Sequence, residues 1–256
     1  MATASELNRA YYGDATDGLL DYWRLMAAPR HRAAELLRTL GEESFLSVVD
    51  LGCGNGLLLS EIAARFPHSA LAGIDIAADL VEGNRRRSPR IQWYVADLSE
   101  PLLRPELRET FDVVVACEIV EHLDAPEVFL RNACTLCRPG GRLLLSTQSG
   151  PVRETERRVG HRRHFTRDTL SEVIRGAGWE PTHVWNTGFP FHDLSKWVAN
   201  LDPDKAMGEF GSERYGWKQR VVCAGLRVAF RLNSRRRGAQ LFAAARNPRS
   251  SRQDPS

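Results

Sequence analysis

Lysine is almost missing from this sequence of 256 residues: it stands only at Lys196, Lys205 and Lys218, the rest of the 35 basic residues being arginine. Arginine's planar fork suits carboxylate and phosphate recognition, although a compositional bias of the genome gives the same excess. A formal net charge of +3 is too small to argue for nucleic acid. There is no separate basic domain and no N/D-P-P-Y/F motif, and the run Arg235-Arg236-Arg237 is too short to change that, so no nucleic-acid partner is expected. No apolar run approaches the roughly 18 residues of a membrane span, and Met1–Arg9 lacks the apolar core of an export signal; the expected location is cytoplasmic. The five cysteines are therefore expected to be free thiols. Cys134-x-x-Cys137 falls on a predicted helix with no second pair at zinc-finger spacing, which speaks against a metal or redox role.

What the chain does have is an ordinary globular composition, 43% hydrophobic and 26% charged, and length enough for one domain with a sizeable core. Strand and helix signals alternate. Leu46–Leu51, Ala70–Ile76, Ile91–Val95, Phe111–Cys117 and Gly141–Thr147 read as strands, most of them nearly continuous apolar runs of the kind covered on both faces. Between them Leu57–Phe66, Asp79–Arg87 and Pro126–Leu136 read as helices, and the alternation predicts an open parallel sheet with right-handed crossovers. Pro139-Gly140-Gly141 marks a turn before the fifth strand. Further on, Thr166–Gly178 is predicted as a helix, Glu180–Asn186 and Gln240–Ala245 as strands, and Asn247–Ser256 as a disordered tail. Trp217–Leu232 is amphipathic, with Arg220, Arg227 and Arg231 close to one stripe beside Val221, Val222, Val228 and Phe230. Packing on the sheet edge is the expected use of that stripe; contact with a membrane surface is the alternative.

The residues that say most are Val48-Val49-Asp50-Leu51-Gly52-Cys53-Gly54-Asn55-Gly56. They read as an apolar strand entering a glycine-rich turn and then a helix. Glycines at alternating positions remove the Cβ atoms, so that a ligand can lie against the backbone. The dinucleotide fingerprint fails, because Leu57 stands where its third glycine is needed. The D-x-G-x-G-x-G that is present resembles the first motif of class I S-adenosylmethionine-dependent methyltransferases, and the resemblance extends from Val48 to about Trp179.

That resemblance implies a Rossmann-like, doubly wound α/β fold. Its seven-stranded, mostly parallel sheet has helices on both faces, with the last strand antiparallel beside the fifth. It divides the chain into an N-terminal helical lid over residues 1–40, a methyltransferase domain over 41–246 with acceptor-side insertions near 150–166 and 187–232, and the tail. The implied cofactor is S-adenosylmethionine, released as S-adenosylhomocysteine. Gly52, Cys53, Gly54 and Gly56 would line its cradle. Asp75, at the end of the second strand, can accept both ribose hydroxyls; otherwise it is a helix-capping aspartate. Asp97 matches the aspartate that meets the adenine amine, or else caps its own turn, and Ile76 and Leu98 could sandwich the ring. Asp50 matches a residue that anchors the loop or helps to hold the cofactor's amino group. Tyr11 and Tyr12 could fold over the site as N-terminal aromatics do in relatives, Tyr12 towards the cofactor and Tyr11 towards the acceptor.

Cys117-Glu118-Ile119-Val120-Glu121-His122-Leu123 resembles the E-H-L segment of small-molecule methyltransferases such as the ubiquinone-biosynthesis O-methyltransferases. Glu118 is placed nearest the cofactor and Glu121 is read as a turn or loop-amide partner. His122 is the candidate general base, with a structural histidine as the alternative. Acceptor binding is assigned to the rim after the fifth strand, at His161, Arg163 and His164, and to Phe189 in the aromatic patch further on. Thr166 is the predicted N-cap of the following helix, without a true capping box. No metal is expected, since no carboxylate lies at ligand spacing from His161 and His164. The overall reading is methyl transfer to oxygen or nitrogen of a small-molecule metabolite, of the kind found in secondary metabolism, by a monomer or homodimer. A lipid-linked acceptor at a membrane, or cofactor binding without methyl transfer, are the alternatives.

Overall fold

The computed structural model describes residues 20–101, 104–210 and 214–249. Two N-terminal helices, α1 (Leu20–Leu25) and α2 (Ala27–Leu40), precede the alternating series β1 (Ser47–Leu51), α3 (Leu57–Arg65), β2 (Ala70–Asp75), α4 (Ala78–Arg87), β3 (Gln92–Val95), β4 (Phe111–Cys117), α5 (Pro126–Leu136) and β5 (Cys137–Gln148). There follow α6 (Glu154–Arg158), α7 (Arg167–Gly176), β6 (Glu180–Thr187), α8 (Phe191–Ala199), α9 (Pro203–Phe210), α10 (Trp217–Phe230) and β7 (Gln240–Arg246). The seven strands form one sheet in the order β3-β2-β1-β4-β5-β7-β6. The first five run parallel, and β7 lies antiparallel between β5 and β6. This is the architecture that the resemblance implied.

Alternating side chains of the central strands supply two apolar layers. On one face Val49, Leu51, Ile74, Val114 and Leu145 pack with Phe129, Leu130, Leu170 and Ile174 from α5 and α7. On the other, Val48, Val113, Val115 and Leu144 pack with Leu36, Leu37 and Leu40 of α2 and Leu59 and Ile62 of α3. The second N-terminal helix is therefore part of the core.

Some expectations are corrected. Cys137 is the first residue of β5, so that Cys134 and Cys137 belong to different elements. Phe111 pairs with Cys137, and the register then shifts until Val113 meets Arg142; the Pro139-Gly140-Gly141 turn lies inside this irregularity. Asn247 is buried and its amide donates to the carbonyls of Cys137 at 2.8 Å and Arg138 at 3.2 Å, so residues 247–249 are a tie and not a disordered start to the tail. Helix α10 packs on α1, α2 and α8, not on the sheet edge. Cys223 and Phe230 face inward, while Trp217, Val221 and Val228 are exposed. Thr166 and Thr169 do form a reciprocal box: each backbone N–H donates to the other's hydroxyl, at 3.2 and 2.9 Å. A threonine hydroxyl can do this because it accepts as a carboxylate does.

Where α2 and α8 meet the end of β6, a half-buried histidine, His31, and a buried one, His192, are held without charge. His31 Nε2 lies 3.2 Å from Thr187 Oγ1, and both His31 and His192 stand edge-on to Phe230. Burial first, then repulsion from His192, lowers the His31 pKa to about 4, with Glu35 opposing. Burial also lowers His192. Because the unfolded chain takes up these protons nearer pH 6.5, acid favours unfolding. Stability from His31 is complete above pH 6.5 and falls by up to about 1.4 kcal/mol per pH unit on the way to pH 4, and His192 contributes a loss of the same sign below pH 6.5. Thermal unfolding scanned from pH 7 to 4.5 is expected to show a falling midpoint, with a shallower slope in His31→Asn. A slope unchanged in that variant would remove His31 as a contributor.

Candidate active site

The glycine turn sits at the carboxyl end of β1, where the parallel sheet changes direction and a crevice opens. Gly52, Gly54 and Gly56 have φ values of 72°, 50° and 74°, the left-handed region that favours glycine. Two of the three are also demanded by packing: a Cβ on Gly52 would stand 2.2 Å from Ile119 Cδ1, and one on Gly56 2.6 Å from Trp93 Cη2. A Cβ on Gly54 would meet nothing within 4 Å. The loop thus turns a bare backbone outward at Gly54 alone.

Asp75 holds this backbone in place. It accepts from the Gly54 amide at 2.8 Å and from the Ala77 amide at 2.9 Å, so it fixes the turn that leads into α4 and anchors the loop at once. Burial raises its pKa, and those amides oppose the rise. Asn84, buried in α4, completes the brace by donating to the Gly54 carbonyl at 2.7 Å. Asp50 is 2% exposed and its Oδ1 has no hydrogen-bond partner. Burial, then the neighbouring Asp75, pushes its pKa up to about 8. An orphaned carboxylate oxygen behind the turn is the acceptor that a cofactor ammonium group requires, and the open side of Gly54 gives such a ligand room. Asp97 accepts from the Ser99 amide and hydroxyl at 2.9 and 2.5 Å, capping its own turn. Ile76 is half-buried and Leu98 buried, and Cys53 is a buried packing residue whose thiol is held protonated, chiefly by burial. Tyr11 and Tyr12 lie outside the described residues.

From the end of β4 a polar network leads away from the cradle. Glu118 adopts φ of +59°, a strained conformation for a non-glycine residue. It is held there by Ser146, whose carbonyl takes its amide at 3.0 Å and whose hydroxyl donates to its carboxylate at 3.1 Å. Gln148 donates to the other carboxylate oxygen, and Arg32 of α2 stands 3.7 Å away. Burial alone would raise the Glu118 pKa; Arg32, Gln148 and Ser146 bring it below the ordinary value. Arg32 itself is 5% exposed, and its Nε has no partner. Lys196 of α8 donates to Gln148 Oε1 at 3.0 Å and pairs with Glu156 of α6 at 2.5 Å. Helices α6 and α8 are thereby tied to the end of β5.

A 3₁₀ turn at Val120–His122 follows β4. Glu121 is fully buried and accepts from Thr147 Oγ1 at 2.8 Å; burial, then Glu118, raises its pKa well above the usual carboxylate range. His122 is buried, with its pKa lowered to about 4 chiefly by burial. Its ring meets His161 edge-on at 4.7 Å, and His161 Nδ1 lies 3.0 Å from His164 Nε2. Arg163 is directed away, donating to the Asp124 carbonyl at 3.0 Å. Phe189 is half-exposed, and its backbone pairs with Arg237 and Ser234. The structure therefore brings Glu118, His122, His161 and His164 to one rim, and places Arg163 and Phe189 elsewhere. Trp185, near Phe189 in the sequence, is core: it stacks on Phe242 and donates to Glu35 at 3.0 Å. Sequence reasoning missed Arg32, Asn84, Gln148 and Lys196.

A seven-stranded sheet with an antiparallel seventh strand, a backbone cradle after β1 and an acidic residue at the end of β2 define a class I S-adenosylmethionine-dependent methyltransferase fold. The chain belongs to the methyltransferase-domain family, whose sequence profile matches residues 22–184, and its cofactor is S-adenosylmethionine. It is 33% identical over 202 residues to the ubiquinone biosynthesis O-methyltransferase of Ruegeria pomeroyi, covering 69% of this chain and 77% of that one. It is 32% identical over 168 residues to the mitochondrial ubiquinone biosynthesis O-methyltransferase of Rattus norvegicus, covering 63% of this chain and 44% of that protein. The chain spans less than half the length of such mitochondrial relatives. Among solved structures the [4+2]-cyclase SpnF superposes with a TM-score of 0.65 at 17% identity, covering 96% of each chain, a likeness of fold alone. Among the described residues no helix is long and apolar enough to cross a membrane.

Proposed function

We propose that this chain transfers the methyl group of S-adenosylmethionine to an oxygen of a small-molecule acceptor. The observation that carries this reading is the continuity of the site. The open backbone of Gly54 and the orphaned Asp50 oxygen offer a cradle, and the buried Arg32–Glu118–Gln148–Lys196 network runs from it to a histidine-lined rim. Asp75 would hold the ribose, having acceptor capacity beyond its two backbone bonds, and Asp97 the adenine side. Oxygen is favoured over nitrogen because the relatives above are O-methyltransferases.

When bound, the cofactor supplies an electrophilic methyl carbon: the acceptor oxygen bonds to it, the carbon–sulfur bond breaks with its electron pair going to sulfur, and the hydroxyl proton leaves to solvent. The chain's own contribution is mostly alignment. Holding donor and acceptor in line supplies roughly 7–11 kcal/mol, whereas a general base adds about 3–5 kcal/mol. His122, with a pKa of about 4, is a weak base, which favours its structural reading. The decisive assay is formation of S-adenosylhomocysteine against a panel of hydroxylated acceptors. Turnover that depends on the acceptor is expected; tight cofactor binding with no turnover on any member would instead favour a non-methylating binder.

A second reading, an acceptor delivered from a membrane surface, is favoured by one observation. Trp217, Val221, Val228 and Leu232 are 73%, 63%, 61% and 72% exposed along and just beyond α10, and Trp197 and Leu201 are 50% and 63% exposed at the neighbouring α8. Lys218 and Arg231 flank them, the combination that binds anionic interfaces. Co-sedimentation with vesicles containing anionic lipid is expected, weakened severalfold by Trp217→Ser with Val221→Ser. No binding to such vesicles would dismiss this reading.

A further inference from the structure

Away from the histidine-lined rim, a second hollow opens on the face of the sheet that α2 covers. Three rows of side chains cross β5, β7 and β6 there. Arg142 stands opposite Arg246, Leu144 opposite Ala244 and Ala244 opposite His183, and Ser146 opposite Phe242 with Trp185 beyond. Alternate residues of a strand share a face, so these rows lie side by side. In the middle row an alanine stands between leucine and histidine, close to where α2 ends. The space above it is not filled, and a cavity of about 260 Å³ remains. Leu144, Ala244 and the buried Trp185 line it, and Arg38, Arg142 and Arg246 complete its wall.

Two features of this lining point to a ligand. Like charges directly opposite on a sheet repel, yet Arg142 and Arg246 form such a pair and share the carboxylate of Glu43. Arg142 is 7% exposed. Its Nη2 donates to the Leu40 and Glu43 carbonyls, at 3.2 Å each, which fixes the plane of the guanidinium. Its Nη1 reaches Glu43 Oε1 only at 3.5 Å. Burial lowers the Arg142 pKa, Glu43 opposes the fall and Arg246 adds to it, the mark of a cation short of counter-charge. The second feature is a stack of rings. Phe242 and Trp185 lie 5.5 Å apart, Trp185 and His183 4.8 Å, each pair inclined by 18°. His183 is exposed and belongs to the cavity wall. A stack that ends at a hollow offers a further ring the same offset geometry.

We propose that this cavity binds a small aromatic carboxylate, its ring against His183 and Trp185 and its carboxylate on Arg142 and Arg246. The planar arginine fork matches a carboxylate with two parallel bonds. The volume lies just below the roughly 300–1,000 Å³ of drug-sized pockets, which suits one or two rings. Arg142 and Gln148 are six residues apart in β5, roughly 20 Å along a strand, so the occupant is neither donor nor acceptor. The site stands whether or not the chain methylates.

The test is calorimetry on the full chain with benzoate, 2-naphthoate and indole-3-acetate, and with 2-naphthalenemethanol as an uncharged counterpart. At least one acid is expected to bind one equivalent, at least tenfold more tightly than the alcohol. Ala244→Leu, which fills the hollow, and Arg246→Gln should each weaken binding at least tenfold while S-adenosylhomocysteine binding persists. The cradle variant Gly54→Leu should bind the acid as the unaltered chain does. No saturable binding of any of the three acids, equal affinity for the alcohol, or unchanged affinity in folded Ala244→Leu or Arg246→Gln protein overturns the site.

Discussion

Gly54→Leu is expected to abolish measurable S-adenosylhomocysteine binding, a loss of more than 100-fold by calorimetry, while lowering the unfolding temperature by only a few degrees. The asymmetry comes from where the added side chain goes. At φ of +50° a non-glycine residue costs about 1–2 kcal/mol, which for a chain of this size shifts the midpoint by roughly 2–8 °C. The side chain itself meets no protein atom near its Cβ, so it occupies the space a ligand would use. The same substitution at Gly56 behaves differently, because its Cβ would stand 2.6 Å from Trp93; there stability falls along with affinity. If Gly54→Leu still binds S-adenosylhomocysteine within tenfold of the unaltered chain, the cradle is not at this turn.

Asp50→Asn should lower cofactor affinity by at least tenfold and, separately, flatten the alkaline stability profile of the cofactor-free protein. The folded pKa of about 8 lies well above the unfolded value near 3.9. Between those values the fold binds one proton more than the unfolded chain does. Stability from this group is therefore greatest at low pH and declines by up to about 1.4 kcal/mol per pH unit until pH 8. The histidine slope is common to both proteins, so comparing the unaltered chain with Asp50→Asn by denaturant unfolding at pH 6.5 and 8 isolates this carboxylate. The substitution should remove about 1–2 kcal/mol of the difference between those two conditions. A cofactor ammonium group beside the carboxylate stabilises its charged form, so the bound protein should show the weaker pH dependence even without the substitution. An unchanged profile in Asp50→Asn would mean that this carboxylate is already ionised in the fold.

Much of the fold was legible because its signals are local. Phe111–Cys117 and Pro126–Leu136 have the predicted bounds, since a continuous apolar run and a proline at the first helical turn need no tertiary context. The cradle was legible for the same reason: its glycines, Asp50 and Asp75 stand at strand ends in one βαβ unit. What could not be read was anything assembled across the sheet. Arg32 and Lys196 look like surface cations on amphipathic helices, and only the fold turns them toward Glu118 and Gln148. His161 looks like part of a basic loop until that loop is laid over the turn carrying Glu121. Burial of a charged residue is a property of the packed chain, and a side chain with no neighbour at helical or strand spacing gives no sign of it.

The position of β7 between β5 and β6 also sets an order of assembly. β6 pairs with β7 in the sheet, and β7 is made of residues 240–246. Strands β1 to β5, with the glycine turn and Asp75, are complete by residue 148. During synthesis strands β1 to β5 can therefore pair while β6 still lacks the strand that docks it. A chain shortened before residue 240 keeps the strands that carry the glycine turn and loses the strand that joins β5 to β6.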